Sequence, residues 1–256
     1  MRQYDVVIVG GGMAGLTAGI YAARAGKKVL VLEAKVYGGQ IVNTLNIENW
    51  PGDFRVSGAD LIKKVKKQAV ELGVNFEYDE VVNIAKEENK FRIITIENEY
   101  LALAVIIATG TEPRKLSNKQ TKDAGERPIS YCATCDGALY KDKAVVVVGS
   151  GNTAKHEMEY LEGICAKVYH IHHDDPIPKD AEAVFVAIGR VPMTKIFESL
   201  VDLNKDGYIV AGEDCLTSCV GVFVAGDCRT KSVRQLVTAA ADGAVAGENA
   251  VKYLNR

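Results

Sequence analysis

Short, unbroken apolar runs recur along the chain, and most of them end at a glycine or an acid: "VVIV" at 6–9, "VLVL" at 29–32, "VVVV" at 145–148, "AVFVA" at 183–187 and "VFVA" at 222–225. Runs this short and rich in β-branched residues predict strands covered on both faces. Between the first two lies "MAGLTAGIYAARAG", a stretch of small and apolar residues that predicts a helix over 16–25. The segment "NKFRIITIENEYLALAVIIATG" alternates around a polar "ENEY" turn and predicts a β-hairpin leading into a buried strand. A second hairpin is expected in "VDLNKDGYIV", turning at Asp206-Gly207.

The first run opens a complete strand, glycine turn, helix and strand unit. Gly10, Gly12 and Gly15 give the G-x-G-x-x-G spacing, and Glu33 closes the second strand about 18 residues beyond Gly15. Gly10 permits the tight turn, Gly12 lets backbone approach a pyrophosphate at the helix N-terminus, and Gly15 lets helix and strand pack closely. An acid at position 33 accepts from ribose hydroxyls and repels a 2′-phosphate, so this first site suits FAD or NAD.

A second copy begins at "KAVVVVGSGNTA", with Gly149 and Gly151 in the turn and Ala154 in place of the third glycine. Its next strand ends in "HIHHDD", where neutral imidazoles and carboxylates stand in place of the arginines a 2′-phosphate needs. His170, His172 and His173 with Asp174 and Asp175 fit either a metal site or the polar end of an exposed strand. The chain then passes through "PIPKD" straight into "AVFVAIG". The fold class expected is α/β, with two Rossmann-like, three-layer (ββα) nucleotide-binding domains, the second much reduced. The first is discontinuous, 1–115 and 192–256, and the second is 116–191.

Charge and cysteine usage narrow the chemistry. A formal charge of -2 over 256 residues gives no footprint for nucleic acid or an anionic membrane, so neither is an expected partner. The apolar run in "MRQYDVVIVGGG" is too short for a signal peptide or a spanning helix, and a cytoplasmic location is expected. Among six cysteines, only Cys132 and Cys135 form a Cys-x-x-Cys, followed at once by Asp136. The pair fits a redox disulfide, half of a zinc site or a structural bridge, and the flanking nucleotide motifs favour redox work.

Taken together, "GGGMAG", "GGQIVNTLNIENWPG", "IIATGTEPRKL", "YCATCDG" and "GVFVAGDCRTKSVRQLVTAAADGAVA" resemble the low-molecular-weight thioredoxin reductases, segment by segment and nearly end to end. The resemblance implies an FAD-dependent, homodimeric enzyme. Its flavin contacts would come from Gly10, Gly12, Ala14, Gly15, Glu33, Gly39, Gln40, Asn49, Thr109, Gly226, Asp227, Arg234, Gln235 and Leu236. It also implies that Cys135 faces the flavin, Cys132 attacks the disulfide of a thioredoxin-like protein, and Asp136 serves as acid and base. Gln235 is expected to begin a helix whose dipole favours negative charge on a reduced flavin.

The chain departs from the family in its second domain. That domain is shortened between His173 and Ala183, and the paired arginines that the family places near His172 and His173 are missing. In this it resembles the ferredoxin-dependent flavin thioredoxin reductases, which implies reduced ferredoxin rather than NADP(H) as donor. Two basic segments offer an acidic partner a surface: Lys63, Lys64, Lys66 and Lys67, and Arg114, Lys115, Lys119 and Lys122. Two other readings stand beside it, a compact NADPH-dependent reductase supported by "GSGNTA", and a flavoprotein sensor in which Cys132 and Cys135 signal redox state without turnover; Cys215 and Cys219 either support that sensor or are two unrelated cysteines around a loop.

Overall fold

The computed structural model describes residues 1–256, the side chain of Asn152 excepted. In chain order the first part holds β1 (Arg2–Val9), α1 (Met13–Arg24), β2 (Val29–Glu33), α2 (Gly58–Glu71), β3 (Asn75–Tyr78), β4 (Val81–Glu87), β5 (Lys90–Thr95) and β6 (Glu99–Ile107). A short strand β7 (Thr111–Pro113) leads to α3 (Asn118–Ala124), β8 (Ile129–Ser130), α4 (Ala133–Asp136), β9 (Ala144–Val148), α5 (Asn152–Glu162), β10 (Lys167–Ile171) and β11 (Ala183–Val186). The chain returns through β12 (Arg190–Pro192) to β13 (Val222–Val224) and α6 (Leu236–Leu254). These elements form two compact units, Met1–Thr111 with Pro192–Arg256, and Glu112–Val191.

The first unit is built on a sheet ordered β3-β2-β1-β6-β5-β4, with β13 pairing on β6. β1 pairs in parallel with β2 and β6, and β13 runs parallel to β6, so these strands end at one edge. Residues 6–9 are all buried, as a strand covered on both faces requires. The β4–β5–β6 part is antiparallel, with the predicted hairpin between β5 and β6 in place.

The small residues of α1 are used for close helix packing. A Cβ on Gly243 of α6 would lie 2.2 Å from the Ala14 carbonyl oxygen, and one on Gly247 would lie 2.8 Å from that of Ala18. Substituting either glycine forces the two helices apart.

The second unit has a four-stranded sheet ordered β10-β9-β11-β8, with all pairings parallel. This is the strand, helix, strand pattern expected of the second glycine motif. The connector 172–182 is a packed segment: Ile177 and Ala181 are buried in the core with Leu116 and Val184. Gln120, itself buried, donates to the carbonyls of His172 and Asp175.

The second expected hairpin is reduced to one antiparallel bridge, Leu203 to Ile209, around a left-handed Gly207. The Asn204 side chain accepts from the N–H groups of Asp206 and Tyr208, and this local turn takes donors a longer ladder would need.

Candidate functional site: a nucleotide edge and a disulfide helix

Parallel strands bring distant residues to one edge of the first sheet. Gly10 follows β1, Glu33 ends β2, Thr109 follows β6 and Asp227 follows β13. The carboxyl edge of a parallel sheet is where nucleotides bind in such folds.

The three motif glycines have different tasks. Gly10 has φ +107°, and a Cβ there would lie 2.4 Å from the Ala108 carbonyl oxygen. On Gly15 a Cβ would fall 1.9 Å from the carbonyl oxygen of Gly10, so strand turn and helix are in direct contact. Gly12 caps α1, and a Cβ there would find nothing nearer than 3.9 Å. No side chain caps this helix start, which leaves its first N–H groups to an approaching phosphate.

Glu33 buttresses the same turn. Its carboxylate accepts from Gly11 N–H at 2.7 Å and from Lys35 N–H at 2.9 Å. Each oxygen keeps a further lone pair for a ribose hydroxyl. Ala14 is buried against Gly226, whose Cβ position is 2.9 Å from that of Ala14.

Beyond the glycine turn, Gly39 starts a 3₁₀ turn (Gly39–Asn43), Gln40 donates to the carbonyl of Thr111, and Thr109 donates to that of Met193 at 2.7 Å. Asn49 and Gln235, far apart in sequence, meet through a 3.1 Å bond from Asn49 Nδ2 to Gln235 Oε1.

Gln235 is the N-cap of α6 rather than its first residue. It accepts from the backbone of Thr238, whose hydroxyl accepts from the Gln235 N–H in turn. Leu236 is the first helical residue and packs with Met13 and Leu16. Arg234 donates to the carbonyls of Asp227 and Arg229 and stacks 4.2 Å above the Tyr208 ring.

A charge network that the sequence did not signal holds the loop after β13. Asp242 of α6 accepts from Gly226 N–H, from Arg229 through two bonds of 2.8 and 2.9 Å, and from Lys231 at 2.8 Å. Arg229 is 1% exposed. Burial disfavours the charged carboxylate, but the bonds from Arg229 and Lys231 outweigh it and hold its pKa below the ordinary range. The loop carrying Asp227 is thereby pinned to α6.

In the second unit, Cys132 and Cys135 are joined in a disulfide, with Cα atoms 5.3 Å apart. Cys132 is the N-cap of α4, and its carbonyl accepts from the N–H groups of Cys135 and Asp136. Ser130, at the end of β8 and buried, accepts from Cys132 N–H at 3.2 Å and donates to Asp136 Oδ2 at 2.6 Å. One hydroxyl therefore fixes both the first sulfur's residue and the acid beside the pair. No spacing rule marks this serine in the sequence.

The second glycine turn takes two side-chain bonds from the histidines at and just after the end of β10. His170 Nε2 bonds the Gly149 carbonyl at 2.6 Å, and His172 Nδ1 bonds Ser150 Oγ at 2.7 Å. His173 pairs with Asp174 at 3.1 Å, and Asp175 accepts from the backbone of His172. Among the described residues no group of three His, Cys, Asp or Glu is placed to hold a metal. A cleft of about 390 Å³ remains beside Gly149, Gly151, His173 and Gly189. Of its lining residues only His173 can carry positive charge.

The two lysine segments differ. On α2, Lys64 pairs with Asp53, Lys67 lies 3.8 Å from Glu71, and Lys66 turns 3.7 Å over the Tyr37 ring beside Phe76. Arg114, Lys115, Lys119 and Lys122 are all exposed, the last two one turn apart on α3. No helix among the described residues is long and apolar enough to cross a membrane.

Comparison with known proteins agrees with this geometry. The family model described as pyridine nucleotide-disulphide oxidoreductase matches residues 4–179 and 173–243. A thioredoxin reductase of Listeria innocua is 36% identical over 302 aligned positions, covering 99% of this chain and 94% of the relative. Because the alignment is longer than the chain, the relative holds segments that this chain lacks. The crystal structure of a thioredoxin reductase from Streptococcus pyogenes superposes with a TM-score of 0.91 at 30% identity, covering 99% of both chains. A ferredoxin-flavin thioredoxin reductase from Clostridium acetobutylicum superposes with a TM-score of 0.64 at 28% identity, covering 100% of this chain and 98% of that one. FAD is the cofactor these relationships imply, and the open Gly12 turn, the Glu33 carboxylate and the carboxyl edge of the sheet fit it. The chain is a flavoprotein oxidoreductase that belongs to the pyridine nucleotide-disulphide oxidoreductase family, among its low-molecular-weight thioredoxin reductases.

Proposed function

We propose that this protein reduces the disulfide of a thioredoxin-like protein through Cys132 and Cys135, with electrons delivered by reduced ferredoxin rather than NADPH. The observation that carries the disulfide chemistry is the Cys132–Cys135 bond at the start of α4, with Asp136 held beside it by Ser130. The FAD site proposed comprises Gly10, Gly12, Ala14, Gly15, Glu33, Gly39, Gln40, Asn49, Thr109, Gly226, Asp227, Arg234, Gln235 and Leu236. Within it Glu33 would hold the ribose, the start of α1 the pyrophosphate, and Asn49 and Gln235 would help hold the flavin. FAD, when bound, supplies the electron pair that regenerates the dithiol.

In the exchange, the Cys132 thiolate attacks one sulfur of the partner disulfide. A new S–S bond forms, and the partner's other sulfur leaves as a thiolate that takes a proton from Asp136. The Cys135 thiolate then attacks Cys132 Sγ, re-forming the intramolecular bond and releasing the partner's second sulfur as a thiolate, which takes a proton from water. Two electrons pass to the partner, and we assign their entry to Cys135.

The donor assignment rests on the second unit. His170 and His172 are spent on the glycine turn, and the cleft beside it lacks the guanidinium groups a 2′-phosphate requires. The exposed cluster of Arg114, Lys115, Lys119 and Lys122 suits an acidic one-electron donor, two deliveries serving each disulfide. A homodimer working in the cytoplasm completes the proposal. The compact NADPH-dependent reading draws its support from the remaining cleft.

The test is to pre-reduce the protein chemically, remove the reductant and count thiols appearing on an oxidised thioredoxin. Wild type should transfer one pair per dithiol, and Cys132→Ser should transfer none. Equal transfer by wild type and Cys132→Ser would refute the assignment.

A further inference from the structure

Helix α5 turns one face toward the disulfide helix. Ala154, Met158 and Leu161 recur at helical spacing and pack with Ala133, the residue immediately after Cys132. A Cβ on Gly137 would lie 2.9 Å from Leu161, so the two helices are in close contact. Glu157 falls within this apolar stripe, one turn after Ala154 and one turn before Leu161. It is the polar residue in a position the spacing reserves for core.

Its two oxygens are treated unequally. One accepts from the backbone N–H of Ala133, while Oε2 is buried with no hydrogen-bond partner. Two charged groups act on it, Asp136 of α4 unfavourably and Arg190 of β12 favourably. Burial has the largest influence and pushes the carboxyl up to about 7. A buried carboxyl with one unserved oxygen is more cheaply accommodated protonated than ionised.

We propose that Glu157 is a positioning residue of the disulfide site: it anchors the start of α4 through Ala133, and its ionisation beside Asp136 sets how readily Cys132 becomes a thiolate. The inference rests on reading Cys132 and Cys135 as an exchanging dithiol. With Glu157 protonated, the thiolate forms without a second negative charge behind the helix. Once Glu157 ionises, that charge opposes the Cys132 thiolate, and exchange slows relative to a neutral residue at the same place. Glu157 thus holds back the rise in thiolate with pH only once it has itself ionised.

The experiment reads Cys132 directly. The whole protein and its Glu157→Gln variant are held reduced with excess water-soluble phosphine, and iodoacetamide capture of Cys132 is followed by peptide mass from about pH 5.5 to about pH 9.5. In wild type the rate should show an inflection near 7 in addition to the thiol's own titration. The variant should lose that inflection, match wild type in acid, react about threefold faster between the Glu157 transition and the thiol's own, the factor that half a pKa unit of coupling gives, and converge with wild type once the thiol is fully ionised.

Superimposable profiles would overturn the inference. So would a wild-type profile without the inflection, whatever the variant does. Phosphine and iodoacetamide replace both protein partners, so the profile is independent of which disulfide is reduced. A wild-type inflection that Glu157→Gln removes, in a chain that transfers nothing to thioredoxin, would retain Glu157 and remove only the proposed partner.

Discussion

Replacing Asp242 by Asn keeps the side chain's shape and removes its charge. In the native protein this carboxylate receives four donors: Gly226 N–H, two groups of Arg229, and Lys231 Nζ. The side chain of Arg229 is 2% exposed and that of Lys231 5%, so neither cation has ready access to water when its partner is neutralised. Glu213 lies 3.4 Å from Arg229 but is 93% exposed and offers little compensation. Removing one member of a buried, hydrogen-bonded charge cluster costs about 3–5 kcal/mol. For a chain of this size each kcal/mol moves the melting temperature by roughly 2–4 °C, so a loss on the order of 10 °C is expected.

The sign with pH follows from the depressed folded-state pKa of Asp242. Its stabilisation is fully present above the unfolded carboxyl value of about 4 and is lost as pH falls through the folded value. The gap between wild type and Asp242→Asn should therefore be full at neutral pH and close progressively in acid. The assay is thermal unfolding by circular dichroism together with the temperature at which flavin fluorescence appears. Flavin should leave the variant earlier, because Asp227 sits in the loop the network pins. A melting shift below about 2 °C at neutral pH would refute the reasoning.

Three further outcomes are expected. Ser130→Ala removes the hydroxyl shared by Cys132 N–H and Asp136, and transfer to an oxidised thioredoxin should slow about five- to tenfold, the worth of one of the two hydrogen bonds lost, the one that holds Asp136, while the melting temperature moves little. Gly15→Ala places a methyl 1.9 Å from the Gly10 carbonyl oxygen, and the purified protein should contain little or no FAD by absorbance. Gln235→Ala removes the α6 cap and the bond to Asn49; it should cost about 1 kcal/mol in urea unfolding and shift the flavin absorption maximum.

The first strand, turn, helix and strand were legible because unbroken apolar runs, small helix residues and spaced glycines all required the same fold. Glu33 was legible as an acid at a strand end, although its support of the Gly11 N–H was not. The histidines at and after the end of β10 were visible as a departure, but their bonds to Gly149 and Ser150 depend on side-chain direction that no spacing rule supplies. Lys66 read as one of four lysines offered to an acidic partner, yet Tyr37 and Phe76, from separate segments, draw it over their rings. Asp242 and Arg229 carried no signal, since a charged residue on a helix and another in a loop are ordinary until tertiary packing buries both. Glu157 did leave a trace, as a carboxylate in the stripe of Ala154, Met158 and Leu161. Ser130 left none, because its role depends on where β8 ends.

The most direct test of the account is to mix the oxidised holoprotein anaerobically with excess NADPH, with NADH, and with reduced ferredoxin, following flavin absorbance near about 450 nm. The account predicts a flavin that stays oxidised with both nucleotides and bleaches with ferredoxin, after which oxidised thioredoxin restores the colour. Prompt bleaching by NADPH would contradict it and return the second glycine turn, histidines included, to service as a nucleotide site.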